Sequence, residues 1–327
     1  MSICRRHFVS GLAALTVPAL SRSVSAQTRS WPSQPIRLVV TFPPGGSSDI
    51  VARLIGPLLA EKLGQPVVID NKPGAASTIG AAAVAGAPAN GYTLLMSNSA
   101  PMSISPALMD KPSYDPIRSF THLTYIGAVP TVLVVHPSLP IQDFAGFIAW
   151  ARTQPDGVAF GSGGAASVGH IVGEMLARKA GIRMLHIPYK GAGPMRNDLL
   201  GGQIKVAIDA LPQNLQFQQS GQLRLLALTA PRRAPTAPDV PSVVELGYPS
   251  LVAENFVGIS APAGLGEDVA QAFQQAADQV LKMPEVQSRL RQMGFELATK
   301  SRSEFADFVR EQVLAWAPAV KQTGATI

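Results

Sequence analysis

Short apolar runs rich in β-branched residues alternate along the chain with stretches of helical periodicity. In the first part of the chain the predicted strands are 36–42, 67–70 and 92–96. Ser47–Asp49 predict an N-cap, and the apolar positions at helical spacing after them predict the first helix. The small residues 78–85 predict the second helix. Gly64 predicts the end of the first helix. A β-α-β-α-β order is typical of a parallel sheet with helices on its faces.

The alternation starts again near residue 131. The predicted strands of this second part are 131–135, 158–160, 184–187, 205–208, 223–228 and 255–259. Helices are predicted over 144–152 and from the capping Ser167 to about Ala180, where Gly181 ends the helix. Beyond residue 259 the pattern is helical. The pattern predicts two α/β lobes of similar size, and periodicity leaves open whether the last helices form a third unit.

Composition limits the classes of function. Hydrophobic residues make up 46% of the 327 residues and charged residues only 15%, which excludes an intrinsically disordered chain. The net charge of +6 includes Arg5, Arg6 and Arg22 near the N-terminus. No lysine or arginine run follows, so we expect no nucleic-acid partner.

The N-terminus carries an export signal. A basic Arg5-Arg6-His7 precedes an apolar stretch and the small residues Val24-Ser25-Ala26, which predicts a signal peptide over residues 1–26, cleaved after Ala26. The arginine pair fits either an ordinary secretory signal or the twin-arginine route. Export predicts a periplasmic location. Cys4 is the only cysteine, so the mature chain is expected to lack disulfides and thiolate chemistry.

The loop after the first strand is a candidate ligand site. A ligand in an open α/β sheet lies beyond the carboxyl ends of strands, and a helix start offers free N–H groups to an anion. A tight turn that needs no ligand is the alternative interpretation. The candidate residues here are Pro44, Gly45, Gly46, Ser47, Ser48 and Asp49.

Other strand ends point polar or glycine-rich loops toward the same place. These candidates are Ser97, Asn98, Ser162, Gly163, Ser167, His170, Tyr189, Lys190 and Asp209. Gly161, Gly163 and Ala166 match a dinucleotide-binding pattern, but residues 181–183 lack the acidic residue that the pattern requires. We therefore expect no cofactor.

Sequence motifs of catalysis are missing. The chain has no Gly-x-Ser-x-Gly elbow, no His-Glu-x-x-His and no histidine pair at metal-ligand spacing, so no metal site is predicted. The alternative function is a secreted α/β enzyme that uses Ser162 or Ser167 with His170. His170 also fits a purely structural role.

Several stretches, in order, resemble the Bug family, the solute receptors of tripartite tricarboxylate transporters. They cover residues 31 to about 264, and the helical tail is also similar. The matching stretches are 31–40, 42–49, 63–68, 71–75, 91–95, 187–191, 200–203, 238–243 and 261–264.

The resemblance implies a two-lobed periplasmic binding protein of the type II, Venus-flytrap class, in which each lobe is a mostly parallel sheet flanked by helices. It implies lobe 1 over 27–129 plus 253–327, lobe 2 over 130–252, and a ligand cleft between them. It also implies a monomeric receptor, not an enzyme, that binds a small carboxylate for the membrane subunits of a tripartite tricarboxylate transporter. The second-lobe loop departs from the family, because Ala165 and Ala166 stand where Asn and Gly are common. This departure predicts a more apolar pocket.

Overall fold

A computed structural model describes residues 31–325. The predicted signal peptide, with Cys4, the arginine pair and the cleavage site after Ala26, lies outside the described residues. No helix within 31–325 is long and apolar enough to cross a membrane. The strands are β1 Ile36–Val40, β2 Val67–Asn71, β3 Thr93–Asn98, β4 Phe120–Val135, β5 Val158–Ser162, β6 Met184–Pro188, β7 Val206–Ala210, β8 Arg224–Leu228, β9 Glu254–Pro262 and β10 Glu296–Leu297. The α-helices are α1 Ser47–Leu63, α2 Thr78–Ala85, α3 Phe144–Arg152, α4 Val168–Ala180, α5 Ala192–Leu200, α6 Leu215–Gln219, α7 Glu267–Leu281, α8 Pro284–Gln292 and α9 Arg302–Thr323.

Lobe 1 is built on strands in the order β2-β1-β3-β9-β4. β1 pairs in parallel with β2 and β3, and β9 runs antiparallel to β3 and β4. The inward side chains Ile36, Leu38 and Leu94 are buried in one apolar cluster with Val51 of α1 and Phe273 of α7. Helices α1 and α7 therefore cover one face of this sheet.

Lobe 2 is built on β7, β5 and β6, which follow the last residues of β4, with β8 on the other side of β4. β5 is parallel to β6 and β7. Phe160 of β5 is fully buried with Phe147 of α3 and Ile171 of α4. Each lobe is thus an α/β unit in which parallel strands are extended by antiparallel ones and helices pack on the sheet, and this confirms the predicted two-lobed α/β fold class.

Two long strands join the lobes. β4 pairs with β9 from Phe120 to Pro130 and with β7 from Thr131 onward. The predicted lobe boundaries, 129/130 and 252/253, stay a prediction. Helix α9 packs on both lobes, because Phe305 and Val309 lie in a lobe 1 cluster whereas Trp316 and Val320 lie in the lobe 2 cluster.

Several predicted helix ends are confirmed. Gly64 and Gly181 end α1 and α4 in the left-handed conformation, and the Ser167 hydroxyl accepts from the His170 N–H as the cap of α4. The predicted cap of α1 is wrong. That position is Gly46, and the helix begins at Ser47 with no side-chain cap.

Candidate functional site

A cavity of about 80 Å³ lies between the lobes, beyond the carboxyl ends of β1, β5 and β7. One water molecule needs roughly 10–15 Å³ of such volume, so the cavity holds about five to eight water-sized groups. This is the size of a small organic acid. Its lining residues are Phe42, Pro43, Gly46, Ser47, Ser48, Ala100, Thr131, Gly163, Ser167, Val168, Gly169, Gly191, Ala192, Ile208, Asp209, Ala210 and Asn255.

Three helix N-termini converge on this cavity. α1 contributes Ser47 and Ser48, α4 contributes Val168 and Gly169, and α5 contributes Ala192. The first N–H groups of a helix have no partner within the helix and carry a partial positive charge. Within residues 31–325, no lysine or arginine lines the cavity. An anion in the cavity would therefore meet main-chain donors and, among the described lining residues, no cationic side chain.

The first loop is held rigid from behind by Asp49. Gly45, with φ +92°, donates its N–H to the Asp49 carboxylate at 2.9 Å, and Asn71 Nδ2 donates to the same carboxylate at 2.9 Å. Arg53 Nε also donates to it at 3.0 Å. Burial alone would raise the pKa of Asp49, but these hydrogen bonds hold the pKa below its usual value. Asp49 thus fixes the turn that presents Gly46 to the cavity.

The second loop is held by a pair of stacked histidines. The His170 and His186 rings lie 3.8 Å apart between centroids and 14° from parallel. His170 Nδ1 accepts the Ala166 N–H at 3.1 Å, and His186 Nε2 lies 2.7 Å from Ser162 Oγ. Burial lowers the pKa of His170 to about 4, and burial, together with the repulsion that a protonated His170 ring would exert, lowers that of His186 to about 3. Both rings are therefore neutral at pH 7.

This arrangement does not fit the predicted serine–histidine pair. Ser162 is fully buried and contacts His186 instead of His170. The Ser167 hydroxyl donates toward Gly164 O and Ser162 Oγ. His170 accepts a hydrogen bond from the backbone of its own loop, which agrees with the structural role given as its alternative.

Asp209 is the ionisable side chain among the described residues that line the cavity. Burial raises the pKa of Asp209, against the opposing effects of Arg196 and of the hydrogen bond from Asn214 Nδ2, 3.0 Å from Asp209 Oδ2. Burial therefore favours the protonated, neutral form of Asp209 beside the cavity.

One buried hydrogen bond crosses the cleft. Gln213 of lobe 2 lies 3.1 Å from Ser47 Oγ at the start of α1 in lobe 1. With its amide oxygen toward α1, Gln213 accepts from both Ser47 Oγ and the Ser47 N–H, and its Nε2 donates to Ala210 O at 3.1 Å. Gln213 thus bridges the lobes beside the cavity.

The structure brings some predicted site residues together and places others behind them. Gly46, Ser47, Ser48, Gly163, Ser167 and Asp209 line the cavity, and Tyr189 and Lys190 line a second pocket beside it. The remaining predicted residues lie outside both linings, namely Pro44, Gly45, Asp49, Ser97, Asn98, Ser162 and His170. Asn98 supports the site from behind, because its Nδ2 donates to Ser48 Oγ at 3.3 Å.

Sequence reasoning missed part of the lining. Thr131 and Asn255 lie on the crossover strands and carry no local signal of a site. Ala192 could have been found, because Gly191 ends a strand–loop segment of the kind recognised elsewhere in the chain. The sequence pattern did not predict α5, because Gly193 and Pro194 in its first turn are residues that usually disfavour a helix.

Comparison with known proteins gives one family. Residues 51–325 match the Tripartite tricarboxylate transporter family receptor. Protein BugT of Bordetella pertussis (strain Tohama I) is 34% identical over 328 residues, with all of both chains covered.

Two solved structures share the fold. R. palustris Rpa4515 with adipate has a TM-score of 0.86 and 31% identity, with 90% of this chain and 99% of that chain covered. MatC (Rpa3494) from Rhodopseudomonas palustris with bound malate has a TM-score of 0.83 and 28% identity, with 88% and 99% covered.

Proposed function

Because the chain belongs to the tripartite tricarboxylate transporter family of receptors, we propose that it binds a small carboxylate between its lobes and delivers it to the membrane subunits of such a transporter. The observation that carries the proposal is the convergence of three helix N-termini on a cavity that, in the described part of the chain, no lysine or arginine lines. Rpa4515 with adipate and MatC with malate support a carboxylate as the ligand class.

The carboxylate is held mainly by backbone. Its oxygens accept from the first-turn N–H groups of α1, α4 and α5 other than those of Ser47 and His170, which donate to Gln213 and Ser167. The Ser48 hydroxyl, which accepts from Asn98, is free to donate to the ligand. Hydrogen bonds to a charged acceptor are worth about 1.5–3 kcal/mol each, so several suffice for tight binding without a counter-ion. Donors from both lobes meet one anion, and binding therefore favours the closed cleft.

The protein acts outside the cytoplasmic membrane in this proposal. A signal peptide over residues 1–26 exports the chain, and the mature receptor works as a monomer in the periplasm. Size-exclusion chromatography with light scattering tests the monomeric state. N-terminal sequencing of protein from a periplasmic extract tests export and cleavage after Ala26.

Titration calorimetry tests the carboxylate proposal. The mature protein is titrated with malate, adipate and hexanoate. Each acid that binds is then compared with its own primary amide, which has a similar shape but no charge. We expect at least one acid to bind and its amide to fail, because a neutral amide gains less from helix N-termini. Equal binding of acid and amide would exclude the anion site.

The chain is a receptor and not an enzyme, as its family is. A bound ligand should therefore be recovered chemically unchanged after long incubation, which mass spectrometry of the eluted ligand checks.

A further inference from the structure

A second pocket, here called the side pocket, adjoins the cavity. It has a volume of about 330 Å³, roughly four times that of the cavity, and the two share Phe42, Pro43, Gly163 and Gly191 as common walls. The cavity alone fits an acid of malate size. A ligand that fills the whole site must be larger.

The walls of the side pocket are mainly apolar. Lobe 1 contributes Phe42, Pro43, Pro73 and Ala76, and lobe 2 contributes Ala165. Ala165 belongs to the loop that also lines the anion cavity through Gly163 and Ser167. One ligand that spans both pockets would thus place its carboxylate at the helix N-termini and its apolar part in the side pocket.

Most polar members of this wall offer little to a second charge, and Thr41, whose buried hydroxyl has no hydrogen-bond partner, offers one neutral donor. The Tyr189 hydroxyl donates to Asp198 Oδ2 at 2.8 Å, and so its hydrogen is already used. Lys190 is exposed, and water solvates its ammonium group at the rim. Ser77 is buried within the turn that precedes α2. Burying a second carboxylate among these apolar walls would be unfavourable unless it were paired.

We propose that the side pocket takes the apolar body of the ligand, so that this receptor prefers a monocarboxylate with an alkyl or aromatic body to a short dicarboxylate. The inference rests on the proposed function, because the carboxylate must first sit at the helix N-termini. Ligand pockets of a few hundred Å³ are commonly lined by apolar groups with a few polar groups that fix orientation. The side pocket and the cavity divide these two tasks.

A matched ligand series tests the proposal with the mature protein. Hexanoate and adipate have the same six-carbon chain and differ in one terminal carboxylate. We expect hexanoate to bind at least tenfold more tightly than adipate. From butanoate to octanoate we expect about a three- to fourfold gain per methylene, since each buried methylene contributes about 0.8 kcal/mol.

Two variants at Ala165 locate the effect. Ala165→Leu takes up part of the side pocket and should lower octanoate affinity more than tenfold while butanoate affinity stays within about twofold. Ala165→Ser, the control of similar volume, should leave the length dependence nearly unchanged. Thermal melting shows whether each variant is folded. If the leucine variant is unfolded, the ligand series on the wild-type protein still tests the proposal.

The outcomes separate this inference from the proposed function. Adipate binding tighter than hexanoate, with the advantage lost in Lys190→Ala, would place a second carboxylate in the side pocket and overturn the inference alone. An affinity independent of chain length would do the same. Failure of every carboxylate to bind would overturn both proposals.

Discussion

At the scale of single residues, Gly46 has free space next to it and an unstrained backbone. Its φ is −83°, a value open to any residue, and an added Cβ would meet no atom within 4 Å. The backbone at Gly46 therefore accommodates a β-branched residue, whereas Gly45, with φ +92°, requires the conformational freedom of glycine. The open space next to Gly46 is the cavity itself.

Gly46→Val should therefore remove ligand binding from a folded protein. The isopropyl group would occupy the space of the carboxylate, and affinity should fall well over about tenfold, or 1.4 kcal/mol. Ser47→Ala or Ser48→Ala should cost about 0.5–1.5 kcal/mol, and Lys190→Ala less, because its ammonium group is solvated. Calorimetry gives the order, with Gly46→Ala as the smaller step and melting curves as the control. The backbone-donor proposal fails if Lys190→Ala abolishes binding and Gly46→Val does not.

Asp49 acts on the same loop from behind. Asp49→Asn keeps the shape of the side chain but loses acceptor capacity for Gly45, Arg53 and Asn71. We expect a loss of about 1–3 kcal/mol in the free energy of unfolding, measured by urea denaturation, together with weaker ligand binding. Arg53→Ala, which removes a half-exposed partner, should cost less. Equal losses for both variants would show that the ion pair, and not the loop brace, is what matters.

At the scale of elements, the stacked histidines join the start of α4 to β6. The unfolded chain titrates near the ordinary histidine pKa of 6.5, whereas the folded values are about 4 for His170 and about 3 for His186. Between these limits the unfolded state binds more protons, so the contribution of the pair to stability falls as the pH decreases from about 6.5 toward 4.

His186→Gln tests this contribution. Gln can still place a polar nitrogen near Ser162 but does not titrate. The variant should be less stable than the wild type at pH 7, and its deficit in unfolding free energy should shrink at pH 4.5. Comparing the two proteins cancels the carboxyl groups that titrate in both. A deficit that is the same at both pH values would contradict the neutral stacked pair.

At the scale of the whole molecule, Gln213 and Ser47 link the lobes. Gln213 is not a lining residue of the cavity, so this bond lies beside the proposed ligand position. Gln213→Ala should enlarge the radius of gyration of the ligand-free protein in X-ray scattering and weaken ligand affinity about two- to tenfold, because less of the protein is closed. Gln216→Ala, on the exposed face of α6, is the matched control. Tighter binding by Gln213→Ala would show instead that the amide competes with the ligand.

Ligand itself should compact the protein. Donors from both lobes surround one anion, so saturating ligand favours the closed state and stabilises the fold by about 2.7 kcal/mol at 100 times Kd. Scattering with and without ligand, together with melting temperature, checks both effects. An unchanged radius of gyration would indicate a rigid site within one lobe.

Local sequence was enough for much of the fold. β-branched runs, the αL glycines 64 and 181 and the Ser167 cap are short-range signals, because they depend on periodicity and on backbone conformation within a few residues. They were sufficient to predict two α/β lobes and the loops that start α1 and α4. The short strand predicted at 131–135 is in fact β4, Phe120–Val135, since its first half depends on pairing with β9 far along the chain.

The site itself was decided by tertiary structure. Loops recognisable one at a time meet only because β4 and β9 carry the chain between lobes, and this crossing also brings Thr131 and Asn255 to the cavity wall. Asp49 and Asn98 illustrate the converse. Their positions in the sequence predicted ligand contacts, but hydrogen bonds from Asn71 to Asp49, and from Asn98 to Ser48, direct them to support the lining. Sequence determines which groups a loop can offer, whereas packing of distant segments decides which of them face the ligand.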